Sequence, residues 1–134
     1  MFDHVDHIAI AVEDIDRSIA LYVTTFGQAP SHRERVEDFK VEIATVNIGE
    51  TAIEFIQPTS GDSPIRKFLD ERGQGIHHIA FRVDDICAAL KELEAKGAEV
   101  IDKSPRKGKD GSLVAFIHPR STERVLYELV QVKG

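Results

Sequence analysis

The 134-residue chain has a single cysteine, Cys87, so no internal disulfide can form. That suits a reducing compartment. It also lacks any apolar run near the roughly 20 residues that span a bilayer, and its N-terminus has no signal-peptide profile. A cytoplasmic protein with no membrane partner is therefore expected. Basic residues are in deficit, 17 Lys and Arg against 23 Asp and Glu, for a net charge of −6. This removes any global electrostatic reason to expect nucleic acid or an anionic membrane as partner. What is present is ordinary for a globular protein: 42% hydrophobic and 30% charged residues. The length fits one domain over residues 1–134 with a fair core.

Internal repetition decides the reading. With His7 placed over His78, an offset of 71, "HIAIAVEDIDRSIALY" lies over "HIAFRVDDICAALKEL". Each phrase is a short β-prone run, an acidic pair and a stretch with helical spacing, carried by Ile15, Ile19, Tyr22 and Phe26 in one and Ile86, Leu90 and Leu93 in the other. Gly27 and Gly97 mark helix stops. Further on, "TAIEFIQ" (51–57) lies over "VLYELVQ" (125–131) and Glu54 over Glu128, at an offset of 74. A loop absorbs the three-residue difference.

Strands are expected at "KVEIATVNI" and "TAIEFIQ", joined at Gly49-Glu50, and in the second half near Glu99 to Asp102, at "SLVAFIH" and at "RVLYELV". The second half thus reads as βαβββ, over residues 75–131, and the repeat extends the same plan to the first, over residues 4–57. The connector 58–74 carries a helical turn or two.

Strand alternation separates the two adjacent histidines. His78, Ala80 and Arg82 share one face, as do His7, Ala9 and Ala11; His77, aligned with Asp6, takes the other. The bulky face should pack on the following helix, and the histidine-alanine face should line a concave surface with room for a ligand. Glu54 and Glu128 are sharper clues, because a carboxylate inside an apolar strand costs several kcal/mol unless paired or metal-bound. One such residue is usually an edge residue facing water. Two at equivalent repeat positions, each coupled to an equivalent histidine, point to a common site. A pseudo-twofold axis would gather His7, Glu54, His78 and Glu128 around a divalent ion, Co²⁺, Mn²⁺, Ni²⁺, Fe²⁺ or Zn²⁺. Two octahedral positions would stay open for substrate oxygens, as in a catalytic rather than a structural centre.

With "DHIAIAVEDID", "SPIRKFLDERGQGIHHIAFRVDDI", "GKDGSLVAFIHP" and "VLYEL", the chain resembles the vicinal oxygen chelate superfamily. Within it the likeness is to the methylmalonyl-CoA epimerases. The metal motif is shared with glyoxalase I enzymes; the other phrases favour the epimerases. The resemblance implies an α+β fold in which two tandem βαβββ modules form a curved, cup-shaped mixed sheet around a metal site. It also implies metal ligation by His7, Glu54, His78 and Glu128, with Co²⁺ foremost, proton transfer by Glu42 and Glu128, an acyl-CoA substrate and a homodimer. Where the family often has a glycine pair before its last strand, this chain has Glu123 and Arg124.

The chemistry expected is epimerisation of (2R)- and (2S)-methylmalonyl-CoA, with a proton removed from one face of C2 and supplied to the other. Lys103, Arg106, Lys107 and Lys109 in "DKSPRKGKDG" are candidate contacts for coenzyme A phosphates. Glu42 read without the resemblance is equally a solvent-facing strand residue. The alternatives are a glyoxalase I-like lactoylglutathione lyase, another metal-dependent isomerase of the superfamily, or a drug-binding protein of the same fold.

Overall fold

A computed structural model describes residues Met1–Gly134. Two compact units are present: Ile8–His77 in one, and Met1–His7 with His78–Gly134 in the other. Both breaks fall inside strands, β1 (His4–Ala11) and β5 (Gly75–Arg82).

The Ile8–His77 unit continues from β1 into α1 (Ile15–Phe26), β2 (His32–Val36), β3 (Val41–Ile48), β4 (Thr51–Pro58) and α2 (Pro64–Arg72), with strand order β2-β3-β4-β1. Helix α1 starts where the Asp14 carboxylate accepts a hydrogen bond from Arg17 N–H and stops at Gly27, whose φ of 65° lets its N–H reach the Tyr22 and Val23 carbonyls. Its apolar stripe, buried Ile15 with half-buried Ile19 and Tyr22, packs on Val12, Ala44, Val46 and Phe55. Helix α2 is capped by Ser63, and its Ile65 and Leu69 pack on Ala9, Ala11, Val41, Ile43 and Ile56. So α2 covers the alanines expected to border open space. The hairpin β3–β4 turns at Gly49, as the sequence indicates, and pairs Thr45 with Glu54 and Glu42 with Gln57. Strand β2, "HRERV", has no apolar pattern and is found only in the structure.

The other unit runs from β5 through α3 (Ile86–Ala95), β6 (Arg106–Lys107), β7 (Leu113–Ile117) and β8 (Tyr127–Gln131), in the order β5-β8-β7-β6. Strand β8 is parallel to β5 and antiparallel to β7, so the sheet is mixed, and each half is βαβββ as expected. Helix α3 begins at Asp85, whose carboxylate accepts from Ala88 N–H, and packs through Ile86, Ala89 and Leu90 on Val83, Ala115, Ile117 and Leu129.

The strand expected at Glu99–Asp102 reduces to one bridge, Val100 to Ile117. Asp102 uses its carboxylate to accept from Phe116 N–H (2.9 Å), replacing a ladder bond, and Pro105 soon follows. The short strand forms instead at Arg106–Lys107.

Candidate metal centre

Register builds the site. Ala80 on β5 and Phe116 on β7 both lie opposite Glu128 on β8. Alternation therefore sends His78, Ala80, Val114, Phe116, Glu128 and Val130 to the face turned away from α3. Ala80, Val114 and Val130 pack there as a small apolar cluster, and the Phe116 ring meets His78 edge-on at 5.3 Å.

His7, at the end of the same unit's N-terminal segment, completes the group. Its Nε2 lies 3.2 Å from His78 Nε2 and 3.1 Å from Glu128 Oε1, and His78 Nε2 is 3.4 Å from that oxygen. All three residues are buried. Two imidazole nitrogens and one carboxylate oxygen thus converge within 4.8 Å. The donor set fits a borderline divalent cation. The two Nε2 atoms can bond to each other only in opposite protonation states, whereas one cation satisfies both nitrogens and the carboxylate together. Burial by itself would raise the Glu128 pKa, but hydrogen bonds from His7 and His78 outweigh it and hold the carboxyl at about 2. The oxygen is therefore ionised, as a ligand must be.

Glu54 is buried on β4, opposite Thr45 and on the face that carries Ile43 and Ile56. Glu42 does not share that face. Because it pairs with Gln57 rather than standing in phase with Thr45, its side chain leaves toward α1. There it forms an ion pair with Arg33, whose guanidinium also holds Asp16 at 2.6 Å. Val41 and Ile43, rather than Glu42, share the Glu54 face, where they pack with Ala9 and Ala11.

In the basic loop, Lys103, Arg106 and Lys107 are exposed and Lys109 half-buried. Arg106 is bound to Asp102 at 3.0 Å and lies over the Phe116 ring, 5.9 Å from its centroid. The loop returns tightly at Gly108, where a Cβ would fall 2.8 Å from both Ser112 Oγ and Val114 Cγ1, so only glycine fits without displacement.

Several residues were missed by the sequence reading. Gln57 Oε1 accepts from Ile15 N–H (2.8 Å) and Gln131 Oε1 from Ile86 N–H (2.9 Å), a matched pair that fixes each helix start to its end strand. Their alignment in the repeat was the available signal. Phe116 could have been found from its hairpin register with Glu128. Asp6 and Arg82 form a further pair beside His7.

The sequence from residue 6 to 116 matches the model of the Glyoxalase/Bleomycin resistance protein/Dioxygenase superfamily. The chain belongs to this superfamily. It is 41% identical to an uncharacterised Bacillus subtilis protein over 98% of this chain and 94% of that one. It is 36% identical to an ethylmalonyl-CoA/methylmalonyl-CoA epimerase of Cereibacter sphaeroides, covering 98% of this chain and 100% of the relative. Among solved structures, a Streptomyces coelicolor methylmalonyl-CoA epimerase in complex with 2-nitronate-propionyl-CoA superposes with a TM-score of 0.95 at 34% identity, over 100% of this chain and 97% of that one. The fold is glyoxalase-like, and the His7, His78 and Glu128 cluster is a candidate metal site of the superfamily's kind.

Proposed function

We infer that the protein is a metal-dependent epimerase that interconverts (2R)- and (2S)-methylmalonyl-CoA. The observation that carries this reading is the buried cluster of His7, His78 and Glu128, in a chain similar along its whole length to acyl-CoA epimerases. His7, His78 and Glu128 would hold the ion, with Glu54 as fourth ligand by its repeat equivalence to Glu128, and Co²⁺ is the first ion to test. A bound divalent ion supplies charge stabilisation to the thioester and carboxylate oxygens as C2 loses its proton. Everything else falls to side chains. Glu128 presents one oxygen to the cluster and is assigned proton transfer on one face of C2. Glu42 carries the opposite-face role on the resemblance alone. Its ion pair with Arg33 gives it a structural occupation, so it contributes to catalysis only if that pair opens. Lys103, Arg106, Lys107 and Lys109 are assigned to coenzyme A phosphates, and a homodimer is part of the same proposal.

The test is incubation of either methylmalonyl-CoA epimer in D₂O with Co²⁺-loaded protein. Deuterium at C2 with loss of stereochemical purity is the expected outcome. Unchanged substrate together with turnover of methylglyoxal hemithioacetal would hand the site to the glyoxalase I reading. A Glu42→Gln variant separates its two roles. With Glu42 in its ion pair, exchange persists and melting temperature falls; loss of exchange at unchanged melting temperature would make it the second acid/base.

A further inference from the structure

The two halves of the repeat differ beside their histidines. Asp6 precedes His7, whereas His77 precedes His78 and packs on Phe68 (5.0 Å between ring centroids). Asp6 is poorly exposed, its side chain 14% accessible, and Oδ1 lies 3.8 Å from His7 Nδ1. Its carboxylate also faces the Arg82 guanidinium, with Nη2 at 3.5 Å from Oδ1 and 3.4 Å from Oδ2. The Nε of Arg82 is buried and has no acceptor. An arginine accepting an incomplete hydrogen-bond set to stay near one carboxylate calls for a reason, since a buried unsatisfied donor is costly.

The reason lies in the imidazole. His7 turns Nε2 to His78 and Glu128, so Nδ1 is the nitrogen left to carry the proton when Nε2 serves as a ligand. A ligating histidine is fixed in this tautomer, and made a better donor, when a carboxylate accepts from its other nitrogen. At 3.8 Å the Asp6–His7 contact is electrostatic rather than a hydrogen bond. We propose that Asp6, steadied by Arg82, is the positioning residue that fixes His7 with Nδ1–H toward Asp6 and Nε2 toward the metal. This rests on the metal reading given above. It gives the centre one carboxylate-backed histidine where the repeat alone would have made the two equivalent.

The test uses the whole protein loaded with Zn²⁺, a spectroscopically silent ion suited to NMR. In the wild type, a His7 Nδ1–H resonance protected from solvent exchange is expected. In Asp6→Leu that resonance is lost and Zn²⁺ affinity, measured by chelator competition, falls by roughly 10- to 100-fold, while Asp6→Asn, which keeps an acceptor oxygen, recovers part of the loss. A purely structural Asp6 would lower the metal-free melting temperature and leave affinity unmoved. The proposal is overturned if folded Asp6→Leu binds Zn²⁺ within about threefold of wild type, a change below that expected for an outer carboxylate. It is equally overturned if the wild type shows no protected Nδ1–H, a result independent of how the variant folds. A wild type that takes up no Zn²⁺ overturns the metal reading as well, which distinguishes the two failures.

Discussion

Glu128 is ionised well below the pH where a free glutamate would be, and the sign of that shift has a measurable consequence. Its carboxyl titrates at about 2 in the folded chain against 4.5 for the ordinary group, because hydrogen bonds from two imidazoles overcome the cost of burial. A depressed folded pKa adds stability that is complete above the unfolded value and is lost as pH falls through the folded one. Metal-stripped protein should therefore lose stability from about pH 4.5 down to about pH 2. Urea unfolding at a series of pH values is expected to show a shallower acid loss in Glu128→Gln than in the wild type. Equal slopes would mean that the carboxylate is not held this way. His78→Ala removes one of three convergent donors, so elemental analysis after incubation with Co²⁺ and desalting is expected to find no retained ion.

Among the elements, the connection into β8 carries conformational strain that has a chemical explanation in its sequence. Glu123 and Arg124 have φ values of 55° and 73°, and the N–H of Val125 bonds the Thr122 carbonyl at 3.2 Å. Both central residues of this turn lie in the left-handed region that glycine occupies freely and branched or long side chains do not. Glu123→Gly and Arg124→Gly are each expected to leave the turn in place and raise stability by up to about 1 kcal/mol, the steric relief exceeding the entropy lost on folding. Thermal melts with unchanged metal uptake would check it; a fall in melting temperature would show that the side chains themselves hold the turn. The sequence already marked this place, since a family with glycines here predicts the backbone even when the residues change. Repeat symmetry likewise made β1, α1, β4, β5, α3 and β8 legible, because each copy lends its pattern to the other. Strand β2 was not legible: "HRERV" takes its place from pairing with β3, not from an apolar face. The face taken by Glu42 was not legible for a related reason. Alternation gives two faces, and only the pairing of Glu42 with Gln57 and of Thr45 with Glu54 shows that Glu42 and Glu54 lie on opposite ones.

For the molecule as a whole, a net charge of −6 would oppose the polyanionic thioester of the proposed reaction, so long-range attraction would not bring it in. Any favourable field has to be local. The loop from Lys103 to Lys109 supplies four cations within seven residues, although Arg106 is partly committed to Asp102. Screening acts on these two contributions in opposite directions. If repulsion by the whole chain governs binding, added salt lowers KM. If the loop grips phosphates, added salt raises it, and the loop reading predicts the second. Lys107→Glu is the sharper probe, because Lys107 is exposed on the two-residue strand β6, where a side-chain change leaves the backbone pairing with Leu113 intact. Initial rates for Lys107→Glu at several salt concentrations are expected to show a raised KM, an unchanged kcat and a flatter salt dependence than the wild type. The separation of KM from kcat matters, since a charge acting only on phosphate recognition leaves the chemistry proposed at His7, His78 and Glu128 untouched. A fall in kcat at constant KM would place Lys107 in the reaction itself and remove the loop from coenzyme A binding.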